Sequence, residues 1–359
     1  MELFVQQSEQ QILEQLPDKY EILSSLQGGK NANVFLARHK LLDSKVFIKV
    51  YHTKKSGDDR LLSEPQLLRK ASSRYIADIY DADFLPSGNL MLAMEMLDGG
   101  SFQDEITKCN DAGRGPSLHA ILDAVRDAAF GLQELHDKGF VHRDVKPANL
   151  MFRIQPAGRL GVVTDLGLVA RLNEKGRAVR SSQARAYRPP EAFKVGTYSA
   201  SSDVYQLGLV LYQMLGGAFQ YPAETLSDQD LENFILTEQM IELGSLSPVI
   251  GQRIRRLLKK CICPEGERYD GTPALLLELN NIRSSESNWE WNVSASKSVF
   301  TRRQSDFTRV ITVDSVTGTP TLTIQEARGV KALRGRGRPI TLRKKDWQTQ
   351  RDFTNALYG

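Results

Sequence analysis

Three cysteines in 359 residues is few. Cys109, Cys261 and Cys263 cannot form a disulfide scaffold, and their scarcity fits a reducing compartment, the cytoplasm. Cys261 and Cys263 lie two apart, with neither a second pair nor clustered histidine. They read as small buried hydrophobes rather than zinc ligands. No apolar run reaches the roughly 20 residues of a membrane span. The best stretch, Val204 to Phe219, is broken by Gln206 and Gln213. The opening MELFVQQSEQQ has no basic region and no long apolar run, so it does not read as a secretory signal. There is no internal repeat, and collagen-like and wholly disordered classes are excluded by composition.

What is present is a globular composition, 41% apolar and 25% charged, in a chain long enough for two domains or one large domain with an appendage. The net charge of +4 is unevenly spread. Residues 301–359 carry 12 Lys/Arg against 5 Asp/Glu, while residues 1–300 carry 35 against 38. A mildly acidic body therefore bears a basic extension, a pattern that marks contact with nucleic acid, an acidic surface or the protein's own body.

Hydrophobic rhythm divides the chain. Residues 3–16 have helical spacing and end at Pro17, giving an N-terminal helical extension over 1–17. Tyr20–Leu26, Asn33–Arg38 and Lys45–Tyr51 read as strands, 61–72 as a helix, and 76–84 and 90–96 as two more strands. Ser117 is the N-cap expected for a helix running to Lys138, and the pattern after Pro190 is mostly helical to about Arg283. Residues 284–300 are Ser/Asn-rich and read as a linker, with Trp289 and Trp291 able to dock onto the body. Residues 307–313 and 320–325 alternate around a glycine-containing turn, as in a hairpin.

The strongest chemical signal is VHRDVKPANLMF at 141–152. Asp144 and Asn149 lie five apart with Lys146 between them, and Asp165 follows sixteen residues after Asn149 in TDLGLVA. Upstream, Lys49 closes the alternating strand VFIK. This ordered set resembles the eukaryotic-like (Hanks-type) serine/threonine protein kinase family over about residues 18–283. The resemblance implies an α+β, bilobal protein kinase fold with a small β-rich N-lobe (18–97), a larger α-helical C-lobe (98–283) and a basic C-terminal extension (301–359). It also implies ATP and two Mg²⁺ ions, with Mn²⁺ as a substitute, and transfer of the γ-phosphoryl to protein Ser/Thr hydroxyls, including the kinase's own.

Phosphoryl transfer must neutralise a triphosphate and place a hydroxyl in line with phosphorus. In the roles the resemblance implies, Lys49 meets the α/β-phosphates and Glu64 holds Lys49. Asp165 and Asn149 bind the metal ions, Asp144 orients the acceptor hydroxyl, and Lys146 steadies the γ-phosphate. Lys146 favours Ser/Thr over Tyr specificity. Leu26, Gly28, Gly29 and Val34 form the nucleotide roof. Met94 is the gatekeeper, and Glu95, Met96 and Leu97 are the hinge against adenine. Glu191 and Arg268 resemble the buried pair that closes the activation segment, and Asp203 resembles the brace of the catalytic loop.

The sequence also departs from the family pattern. Gln27, Gly29 and Ala32 stand where three glycines are usual, which implies weaker ATP affinity. The metal-binding segment reads Asp165-Leu166-Gly167, with an apolar leucine in the middle. Pro65 after Glu64 implies a helix beginning at Ser63. The activation segment, Asp165 to Glu191, has no threonine, and Ala184 replaces one that usually contacts the catalytic aspartate. Ser181 and Ser182, among Arg177, Arg180 and Arg185, are candidate phosphorylation sites facing Arg143. A nucleotide-binding pseudokinase scaffold is the alternative, although it would be expected to lack Lys49, Asp144 or Asp165.

The extension carries RGRGRP at 334–339, similar to an AT-hook. Arg334, Arg336 and Arg338 would enter a narrow minor groove, which would place the protein at DNA in a nucleus or nucleoid. The alternatives are a solvated tail, an autoinhibitor docked on the acidic body, or a substrate, since Ser305 follows Arg302 and Arg303 as in a basophilic target.

Overall fold

Alternation along residues 44–51 buries Val46, Ile48 and Val50 on one side of a strand and puts Phe47, Lys49 and Tyr51 on the other. The computed structural model in which this is seen describes residues 9–26, 32–52, 73–113, 115–179, 184–220, 225–237, 240–294, 297–304, 306–314, 320–328, 334–335 and 340–341. Its first part holds helix α1 (Glu9–Leu13) and strands β1 (Tyr20–Leu26), β2 (Ala32–His39), β3 (Ser44–Tyr51), β4 (Ile79–Phe84) and β5 (Leu90–Glu95). The strands form one antiparallel sheet in the order β1-β2-β3-β5-β4. Its back face packs Phe35, Ile48, Val50 and Met91 with the fully buried Ile12 of α1. On the front, Leu26 lies opposite Val34, Val34 opposite Lys49, and Lys49 opposite Leu92, so one row of side chains shares that face.

The second part is helical. It comprises α2 (Phe102–Ala112), α3 (Leu118–Asp137), β6 (Phe140–Val141), β7 (Leu150–Gln155), β8 (Gly158–Val163), β9 (Ala170–Arg171), β10 (Ala178–Val179) and α4 (Pro190–Lys194). It continues with β11 (Thr197–Tyr198), α5 (Ala200–Met214), α6 (Asp228–Leu236), α7 (Gln252–Cys261) and α8 (Thr272–Ser285). Ser101 and Asp104 form a capping box on α2, and Ser117 caps α3 by accepting from the Ala120 N–H at 3.3 Å. Helix α5 is buried nearly all round, which marks it as the centre of the lobe. Gly161 allows the α3 backbone to sit against β8, because a Cβ there would lie 2.5 Å from the Ala124 carbonyl oxygen. Cys261 and Cys263 are buried, as expected of small hydrophobes.

The linker reading of 284–300 is overturned. Trp289–Val293 is strand β12, the first of an antiparallel meander with β13 (Lys297–Arg303), β14 (Phe307–Asp314) and β15 (Thr321–Arg328), bordered by β16 (Arg334–Gly335) and β17 (Ile340–Thr341). The strands at 307–313 and 320–325 are thus two members of a larger sheet. Its inner face sends Trp289, Phe300, Ile311, Val313 and Leu322 into the same core as α3 and α5. Trp289 and Trp291 alternate with Glu290 and Asn292, so a period-two signal was hidden inside a polar composition. The Val293 N–H donates to the Gly113 carbonyl at 3.0 Å, and His119 on α3 bonds both Asn288 and Glu286.

The sheet also corrects two readings of the basic extension. Arg334 and Gly335 pair with Glu326 and Gln325, so the start of the AT-hook-like segment completes a protein sheet. Arg302 stacks over Trp289 and Phe307, 5.7 and 5.6 Å from the ring centres, on the inner face of β13. It is therefore committed within the sheet rather than free to be read beside Ser305. Ser305, Arg336 and Arg338 lie outside the described residues.

Candidate active site

The catalytic loop owes its shape to two buried side chains of α5. Asp203, at the helix start, accepts the backbone N–H groups of His142 at 2.8 Å and Arg143 at 2.9 Å, and meets His136 Nε2 at 2.8 Å. One turn on, Gln206 accepts from the Val145 N–H at 3.0 Å and donates to the Arg143 carbonyl at 3.1 Å. His142 itself is buried, with its ring nitrogens facing the Thr164 carbonyl and the Asp144 N–H. Four successive backbone N–H groups of the loop, from His142 to Val145, thus donate to buried side chains. Arg143 and Asp165 both adopt left-handed backbone, with φ of 68° and 53°, which non-glycine residues rarely do.

This frame brings the expected residues together. Asp144 is buried, and its Oδ2 accepts from Lys146 Nζ at 2.8 Å and Asn149 Nδ2 at 2.9 Å. Its Oδ1 accepts from the Ala184 N–H at 3.3 Å, so the backbone makes the contact that Ala184 has no hydroxyl to make. Asn149 also donates to the Asp144 carbonyl at 2.8 Å. Across the cleft, Lys49 forms an ion pair with Asp165 Oδ1, and the Tyr51 hydroxyl donates to the same oxygen at 3.2 Å. Burial alone would raise the Asp165 carboxyl, but the Lys49 ammonium outweighs it and holds the group below the usual carboxylate range. The Tyr51 ring lies so close to Gly167 that a Cβ there would sit 2.5 Å from it. Leu166 is buried, so the leucine of this segment packs apolar as expected.

At the hinge, Met94 shares a small cavity with Ile79, Leu92, Thr164 and Asp165. Leu97 is buried with Ala77, Leu160 and Val162. Glu95 does more than line the hinge, because its carboxylate takes a bidentate ion pair from Arg153 of β7 and so ties the two lobes. Glu191 and Arg268 form a buried bidentate pair at 2.9 and 3.1 Å. Glu64, Gly28, Gly29, Ser63 and Pro65 lie outside the described residues, as do Ser181 and Ser182.

Three of the arginines expected to greet a phosphate, Arg143, Arg177 and Arg185, anchor the activation segment, and Arg180 lies outside the described residues. Arg143 donates to the carbonyls of Leu168 and Val179, each at 2.6 Å. Arg177 pairs with Glu265 at 2.7 Å, and Arg185 reaches the Leu226 carbonyl at 2.6 Å and Asp228 at 3.2 Å.

Sequence reading missed Tyr51, Arg153 and Gln206. Only Gln206 left a trace, as the first break in the apolar run from Val204 to Phe219.

Comparison with known proteins agrees with the geometry. Residues 20–270 match the protein kinase domain family. The DNA damage-responsive serine/threonine-protein kinase RqkA of Deinococcus radiodurans is 30% identical over 272 residues, covering 74% of this chain and 39% of that protein. The serine/threonine-protein kinase PknL of Mycobacterium tuberculosis is 28% identical over 212 residues, covering 56% and 50%. The serine/threonine-protein kinase STE20 of Candida glabrata is 29% identical over 209 residues, covering 58% and 22%. The chain thus spans half or less of the length of these relatives. With the ordered motifs, the two lobes and the matched span all in agreement, the chain belongs to the Hanks-type serine/threonine protein kinase family.

Proposed function

We propose that this chain transfers the γ-phosphoryl group of ATP to serine and threonine hydroxyls of proteins. The observation that carries the reading is the buried Asp144, with Lys146 at 2.8 Å, facing the Lys49–Asp165 pair across the cleft. In the reaction, the acceptor hydroxyl oxygen bonds to the γ-phosphorus while the bond to the β-phosphate oxygen breaks and ADP leaves. Asp144 orients the hydroxyl and takes its proton, and Lys146 balances the negative charge of the moving phosphoryl group.

The residues fit a nucleotide with a divalent cation. Asn149 spends its amide N–H groups on Asp144, and among the described residues its Oδ1 makes no hydrogen bond. That neutral oxygen and the Asp165 carboxylate are hard donors of the kind Mg²⁺ or Mn²⁺ takes alongside phosphates. The cation, when bound, neutralises charge on the phosphates. Lys49 meets the α/β-phosphates, Leu26 and Val34 cover the base from the same sheet face, and Met94, Glu95 and Leu97 form the adenine side. Glu64, Gly28 and Gly29 keep the roles their motif positions imply. Autophosphorylation at Ser181 or Ser182 fits their placement between Arg177 and Arg185. The low cysteine content suits the cytoplasm. Among the described residues no helix is long and apolar enough to cross a membrane.

Asp144→Ala should lower transfer to a generic basic protein substrate about 1000-fold, with the fold retained by circular dichroism. Absence of transfer by the wild type, with ATP still bound, would leave the nucleotide-binding scaffold as the better reading, and undiminished transfer by Asp144→Ala would remove Asp144 from the chemistry.

A further inference from the structure

Gln206 is fully buried, yet it is a polar residue in a helix that is otherwise almost wholly apolar over Val204–Met214. Its carboxamide bonds three backbone groups on two segments. Oε1 accepts from Val145 N–H at 3.0 Å, and Nε2 donates to the carbonyls of Arg143 and Tyr187, both at 3.1 Å. Arg143 and Val145 flank the catalytic Asp144. Tyr187 ends the short 3₁₀ turn Arg185–Tyr187, whose preceding residue, Ala184, gives Asp144 its backbone N–H at 3.3 Å. Tyr187 also donates its hydroxyl to Gln213, a second residue of α5. Of the uncharged side chains, only an amide offers an acceptor and two donors together. Leucine of similar size would leave one buried N–H and two carbonyls without the partner Gln206 gives them.

We propose that Gln206 is a positioning residue that locks the Asp144 loop to the Ala184–Tyr187 segment and so sets the acceptor hydroxyl against Asp144. The inference rests on the phosphotransfer reading above. Its logic is one of substitution. Ala184 has no hydroxyl with which to tie the activation segment to Asp144, so the tie runs one layer deeper, from α5 through Gln206. A hydroxyl placed on the Ala184 side chain would stand beside Asp144 Oδ1 and replace part of that tie.

The test uses the full chain, a Ser/Thr acceptor peptide that it phosphorylates, and a fluorescent ATP analogue. If the wild type transfers no phosphate, the phosphotransfer reading fails before this one is reached. Given an active wild type, Gln206→Leu should lower kcat/KM for the peptide at least about 10-fold, through both kcat and KM. Its affinity for the ATP analogue should stay within about twofold of wild type. Adding Ala184→Thr to Gln206→Leu should recover most of the loss. Gln206→Glu serves if Gln206→Leu does not fold. A carboxylate there accepts but cannot donate, and its protonated form does both, so its transfer rate relative to wild type should rise as pH falls from 8 to 6. Three results would overturn the inference: transfer kinetics of Gln206→Leu equal to wild type, a matching fall in nucleotide affinity that Ala184→Thr does not relieve, or a flat Gln206→Glu ratio across pH.

Discussion

The two sides of the cleft are held by different means. On the Asp144 side, buried Asp203, Gln206, His142 and Asn149 pair the loop's polar groups at 2.8–3.3 Å within a single packed lobe. On the Lys49 side, among the described residues, an ion pair and a tyrosine hydroxyl span from the sheet to Asp165, and the Lys49 and Asp165 side chains are 17% and 30% exposed. A buried network fixes a geometry because every unmade bond is costly, whereas a partly exposed pair contributes little to stability and opens at small cost. This contrast suits the proposed function, in which a rigid half receives the acceptor and the other half opens and closes around the nucleotide.

Substitutions can break or sharpen this contrast. The largest effect on stability is expected for Asp203→Ala, which strands two backbone N–H groups and His136 in the core. Unfolding should become easier by about 3–5 kcal/mol, read by denaturant titration. Arg143→Ala removes the guanidinium from the Leu168 and Val179 carbonyls, and about 2 kcal/mol is the expected loss. Hydrogen exchange should show that loss first in residues 168–179. Lys49→Ala should change unfolding by less than about 1 kcal/mol and yet lower phosphotransfer about 100-fold. Equal destabilisation by Lys49→Ala and Asp203→Ala would abolish the contrast between the two sides.

The smallest effect is a dependence on pH. Asp165 has its carboxyl held low by Lys49 in the folded protein. A depressed carboxylate contributes stability above its unfolded pKa and loses it as pH falls through the folded value. The tie between the lobes should therefore be complete at neutral pH and fade only in acid, below the ordinary carboxylate pKa of about 4. Lys49→Ala should lack this acid component, measured as the difference between the two proteins' stability curves against pH.

Much of the site was legible before folding. Asp144, Lys146, Asn149 and Asp165 fall within 22 residues of one another, and their order carries the chemistry. Lys49 could be placed because strand alternation put it on the face opposite Ile48 and Val50. The sheet row Leu26–Val34–Lys49 follows from strand pairing that the alternation implies. Gln206 was visible only as a flaw in an apolar helix, since nothing local says which backbone groups a buried amide will meet. The Glu95–Arg153 pair joins residues 58 apart that no motif connects.

Spacing, periodicity and capping are properties of neighbouring residues, so the sequence by itself determined the strand that carries Lys49 and the order of Asp144, Lys146, Asn149 and Asp165, and through the resemblance those motifs carry it implied the two-lobed kinase plan. Which partner each buried polar group takes depends on segments that meet only after packing. Tertiary structure alone therefore joined Asp203 and Gln206 to the catalytic loop and set Arg143 on the activation segment's carbonyls. It also drew Trp289 and Phe300 into the lobe's core, so that a stretch with the composition of a linker became the first strand of a docked sheet.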